Sequence, residues 1–379
     1  MNLSESEQLR ALLAGEHDLV VVNSCAVTGE AVRQTRQAIR RLRKARPDAR
    51  LLVTGCAAEI ERGALAAMPE VDGLVANTAK LDPRAWNVPG PPASACATHT
   101  RAFIAVQNGC DHACTFCVIP QGRGPSRSQP IPAVLRAVER HLEAGCREVV
   151  LTGVDLTSWG HDLDGAPRLG RLVQAILDRF PALPRLRLSS LDGIEIDPLL
   201  FDLIAGESRI MPHLHLSLQH GDDLMLKRMK RRHLRRDAVE LVGALGARRP
   251  DLAVGADLIA GFPTECDRAH QANLSIVAEL GVVHGHVFPY SARPGTPAAR
   301  MPQVPSTAIK RRAAELRAAV AAARAGWLES LVGKPQPVLA ERDGTGHAPN
   351  FARVALPPAV RAGEIVTITP TRIVEGLLA

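Results

Sequence analysis

Asn108-Gly-Cys-Asp-His-Ala-Cys-Thr-Phe-Cys117 packs three cysteines into eight residues, directly after a candidate strand at Ala102–Gln107. Thiolates are the ligands of iron–sulfur clusters, and four irons ordinarily take four of them. Three from one loop, with no fourth nearby, leave one iron open to a substrate or cofactor. Zinc prefers two separated ligand pairs that close a tetrahedron. No second pair follows at that spacing, and His112 sits inside the run rather than beyond it. The spacing favours a cluster with an open iron.

Downstream of this loop, strand and helix patterns alternate. Strand candidates are Ala102–Gln107, Glu148–Gly153, Arg185–Ser190, His213–Gln219, Leu252–Ala260 and Val283–Pro289. Helical patterns fall between them, such as Pro132–Ala144, with Val134, Leu135, Val138 and Leu142 at helical spacing. Six such units predict an α/β fold, its parallel sheet curled into a partial (β/α)6 barrel. The site of such a barrel belongs at the C-terminal strand ends, where the Cys110 loop begins.

Upstream, a small parallel α/β unit is predicted. Asp18–Asn23 and Ala49–Thr54 are Val- and Leu-rich strands, with helices at Thr28–Arg46 and Ala57–Met68 and a third strand at Val71–Ala76. The two strand ends are near-repeats: VVNSC closes on Cys25 and LVTGC closes on Cys56. Ligands of open parallel sheets sit outside the carboxyl ends of the strands, so the pair reads as two ligands. The alternative is two small buried apolar side chains. A Pro- and Ala-rich stretch, Val88–Ala97, reads as a linker. After a helix at about Pro305–Leu331, strands at Val338–Arg342 and Ile365–Thr369 suit a small β-barrel. The expected domains are residues 1–87, a linker over 88–100, a core over 101–330 and the barrel over 331–379.

Among 379 residues, 46% are hydrophobic and no run of about 18 apolar residues occurs, so no membrane span is expected. The N-terminus lacks the layout of a secretory signal, and the cytoplasm is the expected compartment. Eight cysteines in that compartment point to metal or cluster binding rather than disulfides. A net charge of +7 favours an anionic partner. Two basic stretches stand out: Arg33, Arg36, Arg40, Arg41, Arg43 and Lys44 on the first long helix, and Lys227, Arg228, Lys230, Arg231, Arg232, Arg235 and Arg236 after the fourth core strand. Each could be a solvated face; together they suggest a footprint for RNA phosphates, with Lys227, Arg228, Lys230, Arg231 and Arg232 as the expected RNA-binding residues. With aromatics at 3%, phosphate and shape contacts should outweigh base stacking.

C-x3-C-x2-C followed by Val118-Ile-Pro and Arg123-Gly-x-x-Arg127-Ser resembles the radical S-adenosylmethionine superfamily, and within it the methylthiotransferases. NSCAVT (Asn23–Thr28), VTGC (Val53–Cys56), LTGVDLTSWG (Leu151–Gly160) and LIAGFPTE (Leu258–Glu265) extend the resemblance along the chain. It implies that Cys110, Cys114 and Cys117 hold a [4Fe–4S] cluster whose open iron chelates S-adenosylmethionine, the cofactor carrying the difficult radical step. It also implies that Cys25 and Cys56 help hold an auxiliary [4Fe–4S] cluster that delivers sulfur. Gly153 matches the family's nucleoside-binding turn, and Gln219 lies at the same mouth. The C-terminal barrel resembles an RNA-binding TRAM domain. A low-potential electron donor such as flavodoxin or ferredoxin, an unspecified sulfur donor and a monomeric state are further implications.

The family's auxiliary cluster takes three cysteines, the first in a G-C-x-x-N motif that Asn2 would complete. The expectation is that this cysteine lies just upstream of Met1. Cys96 is a possible substitute, and Cys146 and Cys266, in helical contexts, read as structural. The branch most resembled methylthiolates C2 of N6-threonylcarbamoyladenosine beside the tRNA anticodon, at position 37. Sister branches acting on isopentenyladenosine or on an aspartate of a ribosomal protein are the alternatives. A cluster- or zinc-containing protein that only binds RNA is the non-enzymatic one.

Overall fold

The computed structural model describes residues 2–88 and 100–379, and the chain divides into two compact units. Almost all of the predicted linker, Cys96 included, lies outside the described residues.

The first unit gathers the N-terminal region with Asn108–Arg127 and Ser291–Arg300. Its sheet is parallel, in the order Leu19–Ser24, Arg50–Gly55, Gly73–Leu74. The Val- and Leu-rich strands bury Val20, Leu51 and Val53 in a core shared with Val32, Ile39 and Leu65. Val32 and Ile39 come from the helix Gly29–Ala45, where they lie one turn apart from Thr35 on the buried face. That helix starts where its sequence says it should, because the Thr28 hydroxyl accepts the Ala31 N–H at 3.1 Å. The predicted second helix is instead two short ones, Cys56–Ile60 and Arg62–Ala66. Glu61 interrupts it with φ −113°, and its carboxylate is held by Arg36 at 2.6 Å and Arg293 at 3.1 Å. The third strand is shorter than predicted. The Asp72 carboxylate, not a backbone carbonyl, takes the Leu51 N–H at 2.5 Å, so the ladder pairs only from Gly73.

The second unit holds the six predicted strands, all parallel: Arg101–Ala105, Glu148–Thr152, Arg185–Leu188, His213–Gln219, Ala253–Ala260 and Val282–Pro289. They form two three-stranded sheets joined by the bridges Leu186–Ile210 and Leu191–Leu216. Among the described residues nothing pairs the first strand with the sixth, which leaves a partial barrel. Alternate residues of a strand face opposite sides. Ile104, Val149, Leu151, Leu216, Ala256 and Leu258 pack outward against the helices. The inward positions carry Glu148, Arg185, Arg187, His213, His215, Asp257, His284 and His286 instead. A barrel interior normally filled by branched apolar side chains is polar here.

Glu148 is fully buried and pairs with Arg187 at 2.9 Å and Arg185 at 3.5 Å. The two guanidinium groups reach on to the C-terminal region. Arg185 donates to the Pro337 carbonyl at 2.5 Å and the His347 carbonyl at 3.1 Å, and Arg187 donates to the Pro349 carbonyl at 3.0 Å. Phe351 stacks on His213 at 4.9 Å and on His347 at 4.5 Å. The C-terminal region is a six-stranded, mostly antiparallel sheet around Val338, Val354 and Leu378. It is fastened to the N-terminal ends of the barrel strands. No helix among the described residues is long and apolar enough to cross a membrane.

Candidate active site

In the first unit, Ser24 pairs with Gly55 at the last rung of the sheet, so Cys25 and Cys56 follow neighbouring strand ends. Gly55 sits at φ +91°, and a Cβ there would lie 2.3 Å from the Ser24 carbonyl oxygen. Only glycine lets the chain turn at once and start a helix on Cys56. Cys56 is buried, whereas Cys25 is half-buried.

The Cys110 loop belongs to the same unit. Gly109, at φ +77°, brings its Cα so close to Pro125 that a Cβ would fall 1.9 Å from that carbonyl. The loop is closed by the Cys110 N–H donating to Gly124 at 3.2 Å and the Ser126 N–H donating to Asp111 at 3.0 Å. Cys110, Cys114 and Cys117 are half-buried, and no cysteine among the described residues forms a disulfide. Two backbone N–H groups point at sulfur, His112 at Cys110 and Ile119 at Cys117, each at 3.4 Å. Hydrogen bonds to sulfur stabilise negative charge on it and tune a cluster's potential. Three half-buried thiols with amides aimed at two of them fit a cluster held by thiolates.

The helix Ile119–Arg123, which continues from Cys117, packs on Cys56. A Cβ at Gly122 would lie 3.1 Å from the Cys56 Cβ, and Asn77 Nδ2 donates to the Gly122 carbonyl at 2.6 Å. Arg123 is also hydrogen-bonded to Cys56. Behind it lies a buried charge group. Glu5 pairs with Arg123 at 2.7 Å and with Lys80 at 2.7 Å. Burial opposes ionisation of Glu5, but Arg123 and Lys80 outweigh it and hold the carboxyl at about 2. Burial pushes the Cys56 thiol up, and Arg123 and Lys80 pull it the other way. Two cations against one carboxylate leave a net positive charge beside Cys56, which suits thiolates and the anionic clusters they bind. Sequence reasoning does not single out Glu5, Asn77 or Lys80. Nothing local marks them, since each acts across the fold.

Arg33, Arg36, Arg40 and Arg293 line a cleft of about 380 Å³, with Glu61 in its wall. The basic face of the first long helix is therefore shaped as well as charged.

In the second unit, Gly153 follows the second barrel strand. A Cβ there would lie 2.9 Å from Leu156 Cα and 3.0 Å from Gln107 Oε1. That oxygen accepts the Val154 N–H at 3.0 Å and the Asp155 N–H at 2.9 Å, so Gln107 shapes the turn. Gln219 ends the fourth strand at φ +70°, a conformation unusual for a side-chain-bearing residue. Next to it, Asn273 accepts the Gly221 N–H at 3.2 Å and donates to the Ile259 carbonyl at 3.0 Å, tying two strand-end loops together.

The basic segment after the fourth strand divides in two. Arg231 pairs with Asp192 at 2.9 Å and donates to the Ser217 carbonyl at 2.8 Å. Arg232 pairs with Asp192 at 2.9 Å and with Glu195 at 2.5 Å. Arg228 donates to the Thr264 hydroxyl at 2.6 Å. Arg231 and Arg232, expected to reach phosphates, are paired with carboxylates within the strand-end loops. Lys227 and Lys230 are exposed. Cys146 precedes the second strand, its thiol directed at the Glu148 carbonyl at 3.2 Å, and Cys266, exposed, precedes the helix Asp267–Glu279 without a capping hydrogen bond from its side chain.

A partial parallel barrel with a three-cysteine loop and a second thiol pair defines a class of cluster enzymes. Residues 104–272 match the radical SAM superfamily, and residues 1–76 match a family described as uncharacterized protein family UPF0004. The chain is 42% identical to the threonylcarbamoyladenosine tRNA methylthiotransferase MtaB of Rickettsia prowazekii, over 100% of this chain and 94% of that one. It is 32% identical to a tRNA-2-methylthio-N(6)-dimethylallyladenosine synthase of Cereibacter sphaeroides, over 91% of this chain and 86% of that one. Among solved structures, a radical S-adenosylmethionine methyltransferase, TsrM from Kitasatospora setae, matches with a TM-score of 0.56 at 16% identity. That match covers 78% of this chain and 72% of TsrM, and speaks for the fold. This chain belongs to the radical SAM methylthiotransferase family. It is an enzyme, and membership implies a [4Fe–4S] cluster and S-adenosylmethionine.

Proposed function

We propose that the chain adds a methylthio group to C2 of N6-threonylcarbamoyladenosine at position 37 of tRNA. The observation that carries this reading is that both thiol sets belong to one unit, where the helix that continues from Cys117 lies against Cys56. Transferring a sulfur-bearing group by radical chemistry needs both a radical source and a sulfur source. When bound, a cluster on Cys110, Cys114 and Cys117 supplies the electron that cleaves S-adenosylmethionine, and a second on Cys25 and Cys56 supplies sulfur. The choice of nucleoside follows the full-length similarity to the Rickettsia protein.

The chain's own residues do the rest. Arg123 and Lys80 offset negative charge at Cys56, and Gln107 fixes the turn at Gly153. Gln219 stands at the same strand ends. Lys227 and Lys230, both exposed, offer contacts to RNA phosphates. A low-potential donor of the flavodoxin or ferredoxin type delivers the electron.

The test uses protein prepared without oxygen. Cys114→Ala should abolish cleavage of S-adenosylmethionine. Cys56→Ala should keep cleavage and lose methylthio transfer, scored by mass spectrometry of tRNA nucleosides. Full cleavage by the first variant, or full transfer by the second, would overturn the reading.

A further inference from the structure

The inner face of the last three barrel strands carries an unusual set of side chains. His213 and His215 lie on the fourth strand, Asp257 on the fifth, and His284 and His286 on the sixth. They form two layers. In the lower layer, His213 stacks on Phe351, and His284 is packed between Trp327 and Phe351. Burial drives the His284 imidazole down to about 3 and the His213 imidazole well below its usual value, so both are neutral. This layer serves the joint with the C-terminal sheet.

The upper layer differs. His215 Nε2 and His286 Nδ1 each lie 3.1 Å from the same Asp257 oxygen. His215 is buried, and its ring lies across Gly255, where a Cβ would come within 2.4 Å of Nδ1. The site thus has a glycine where the ring needs space. His286 is open, with 65% of its side chain exposed. Its Nδ1 is occupied by Asp257, which leaves Nε2 as the edge open to a ligand. The hydrogen bond to Asp257 raises the His286 imidazole above its usual value. Burial opposes ionisation of Asp257, yet the two imidazoles outweigh it and hold that carboxyl at about 2. The result is an imidazole held at Nδ1 by a fixed carboxylate, its protonated form favoured.

Its height matters too. Asp257 is one residue from Leu258, which pairs with Gln219 at the strand end. A base entering from the C-terminal ends of the strands reaches this layer before the neutral one below.

The ligand follows from chemistry. The relatives fall into proteins named for threonylcarbamoyladenosine and proteins named for dimethylallyladenosine. The first substituent ends in a carboxylate and a hydroxyl; the second is a hydrocarbon. An imidazole fixed at one nitrogen by a rigid carboxylate and open at the other separates these two, because the hydrocarbon would leave the open nitrogen without a hydrogen-bond partner. His215, Asp257 and His286 also lie close enough together to share a metal ion. However, both imidazoles direct toward one carboxylate oxygen the nitrogens that an ion would need, and the edge of His286 left open suits an anion.

We propose that His286, oriented by Asp257 and His215, binds the threonyl carboxylate of N6-threonylcarbamoyladenosine and selects that nucleoside. This assignment rests on the nucleoside proposed above. The full-length, cluster-loaded enzyme would be assayed on three anticodon stem-loops: one bearing threonylcarbamoyladenosine, one bearing its methyl ester, and one bearing dimethylallyladenosine. His286→Ala should lower kcat/KM on the acid by about 10- to 100-fold, mainly through KM, as expected when a charge-assisted hydrogen bond is removed. Wild-type enzyme should lose a similar factor on the neutral ester, and the variant should lose little more. His286→Lys should recover part of the activity on the acid alone. Equal losses by His286→Ala on acid and ester, or wild-type indifference to esterification, would overturn the proposal while leaving the nucleoside reading intact. Wild-type activity on the dimethylallyl stem-loop alone would instead overturn the nucleoside reading, and this inference with it.

Discussion

Each unit buries one glutamate between two cations, and the two groups are put to different uses. Glu5, Lys80 and Arg123 lie behind Cys56; Glu148, Arg185 and Arg187 lie at the base of the barrel. Both have one positive charge more than they can neutralise. In the first group the excess is directed at a thiol, through Arg123. In the second it is absorbed by three backbone carbonyls of the C-terminal sheet. The same set of charges prepares a site in one place and joins two layers of the fold in the other. What separates them is the acceptor waiting for the surplus donor.

Breaking the second group should have the larger effect on stability. Glu148→Gln leaves two buried guanidinium groups without a counter-charge, a change that costs about 3–5 kcal/mol when one partner of a buried pair is removed. Denaturant unfolding of wild type and variant measures it. A loss below about 1 kcal/mol would show that the carbonyls suffice to hold both arginines.

The first group should show itself through pH. The Glu5 carboxyl is depressed from 4.5 to about 2 in the folded chain. A depressed carboxyl stabilises above its unfolded value and loses that contribution as pH falls from about 4.5 toward 2. The contribution at neutral pH is roughly 3 kcal/mol. The difference in unfolding free energy between wild type and Glu5→Gln should therefore be largest above pH 5 and shrink on acidification. A difference independent of pH would mean that Glu5 packs rather than pairs.

The smallest effects belong to the basic segment, where paired and exposed cations lie side by side. Arg231→Ala removes a buried partner of Asp192 and should destabilise by about 1–3 kcal/mol. Lys227→Ala with Lys230→Ala should change stability by less than about 0.5 kcal/mol. The lysine pair should instead lower the salt dependence of RNA binding, its slope falling by about one for each phosphate no longer neutralised. The reverse result, a salt slope sensitive only to Arg231, would restore the footprint that the charge run suggests.

Whatever is periodic or clustered was legible in the sequence. The six barrel strands follow from Val- and Leu-rich runs of the right length, and three cysteines in eight residues stand out in any chain. Strand-end repeats likewise exposed Cys25 and Cys56. The shortened third strand was hidden because a side chain, Asp72, took a rung that the pattern assigns to the backbone. Glu5 and Lys80 were invisible for a different reason: they meet across 75 residues, and neither belongs to a pattern. The fate of Arg231 depended on Asp192, 39 residues away, so a run of positive charge could not reveal which members were already matched. The histidines at 213, 215, 284 and 286 form two His-x-His pairs, but only the barrel shows that His215 and His286 meet at Asp257 while His213 packs against His284.

The close approach of Gly255 to the His215 ring has an evolutionary side. While the imidazole is in place, any side chain at 255 collides with it, so that position cannot vary first. Once the imidazole is gone, only the His284 carbonyl oxygen, 3.1 Å away, still crowds a Cβ there, and a small side chain can settle at 255. From then on the histidine cannot return without a second, simultaneous change. The two positions form a ratchet, so descent away from this arrangement takes single steps and descent back takes a paired one.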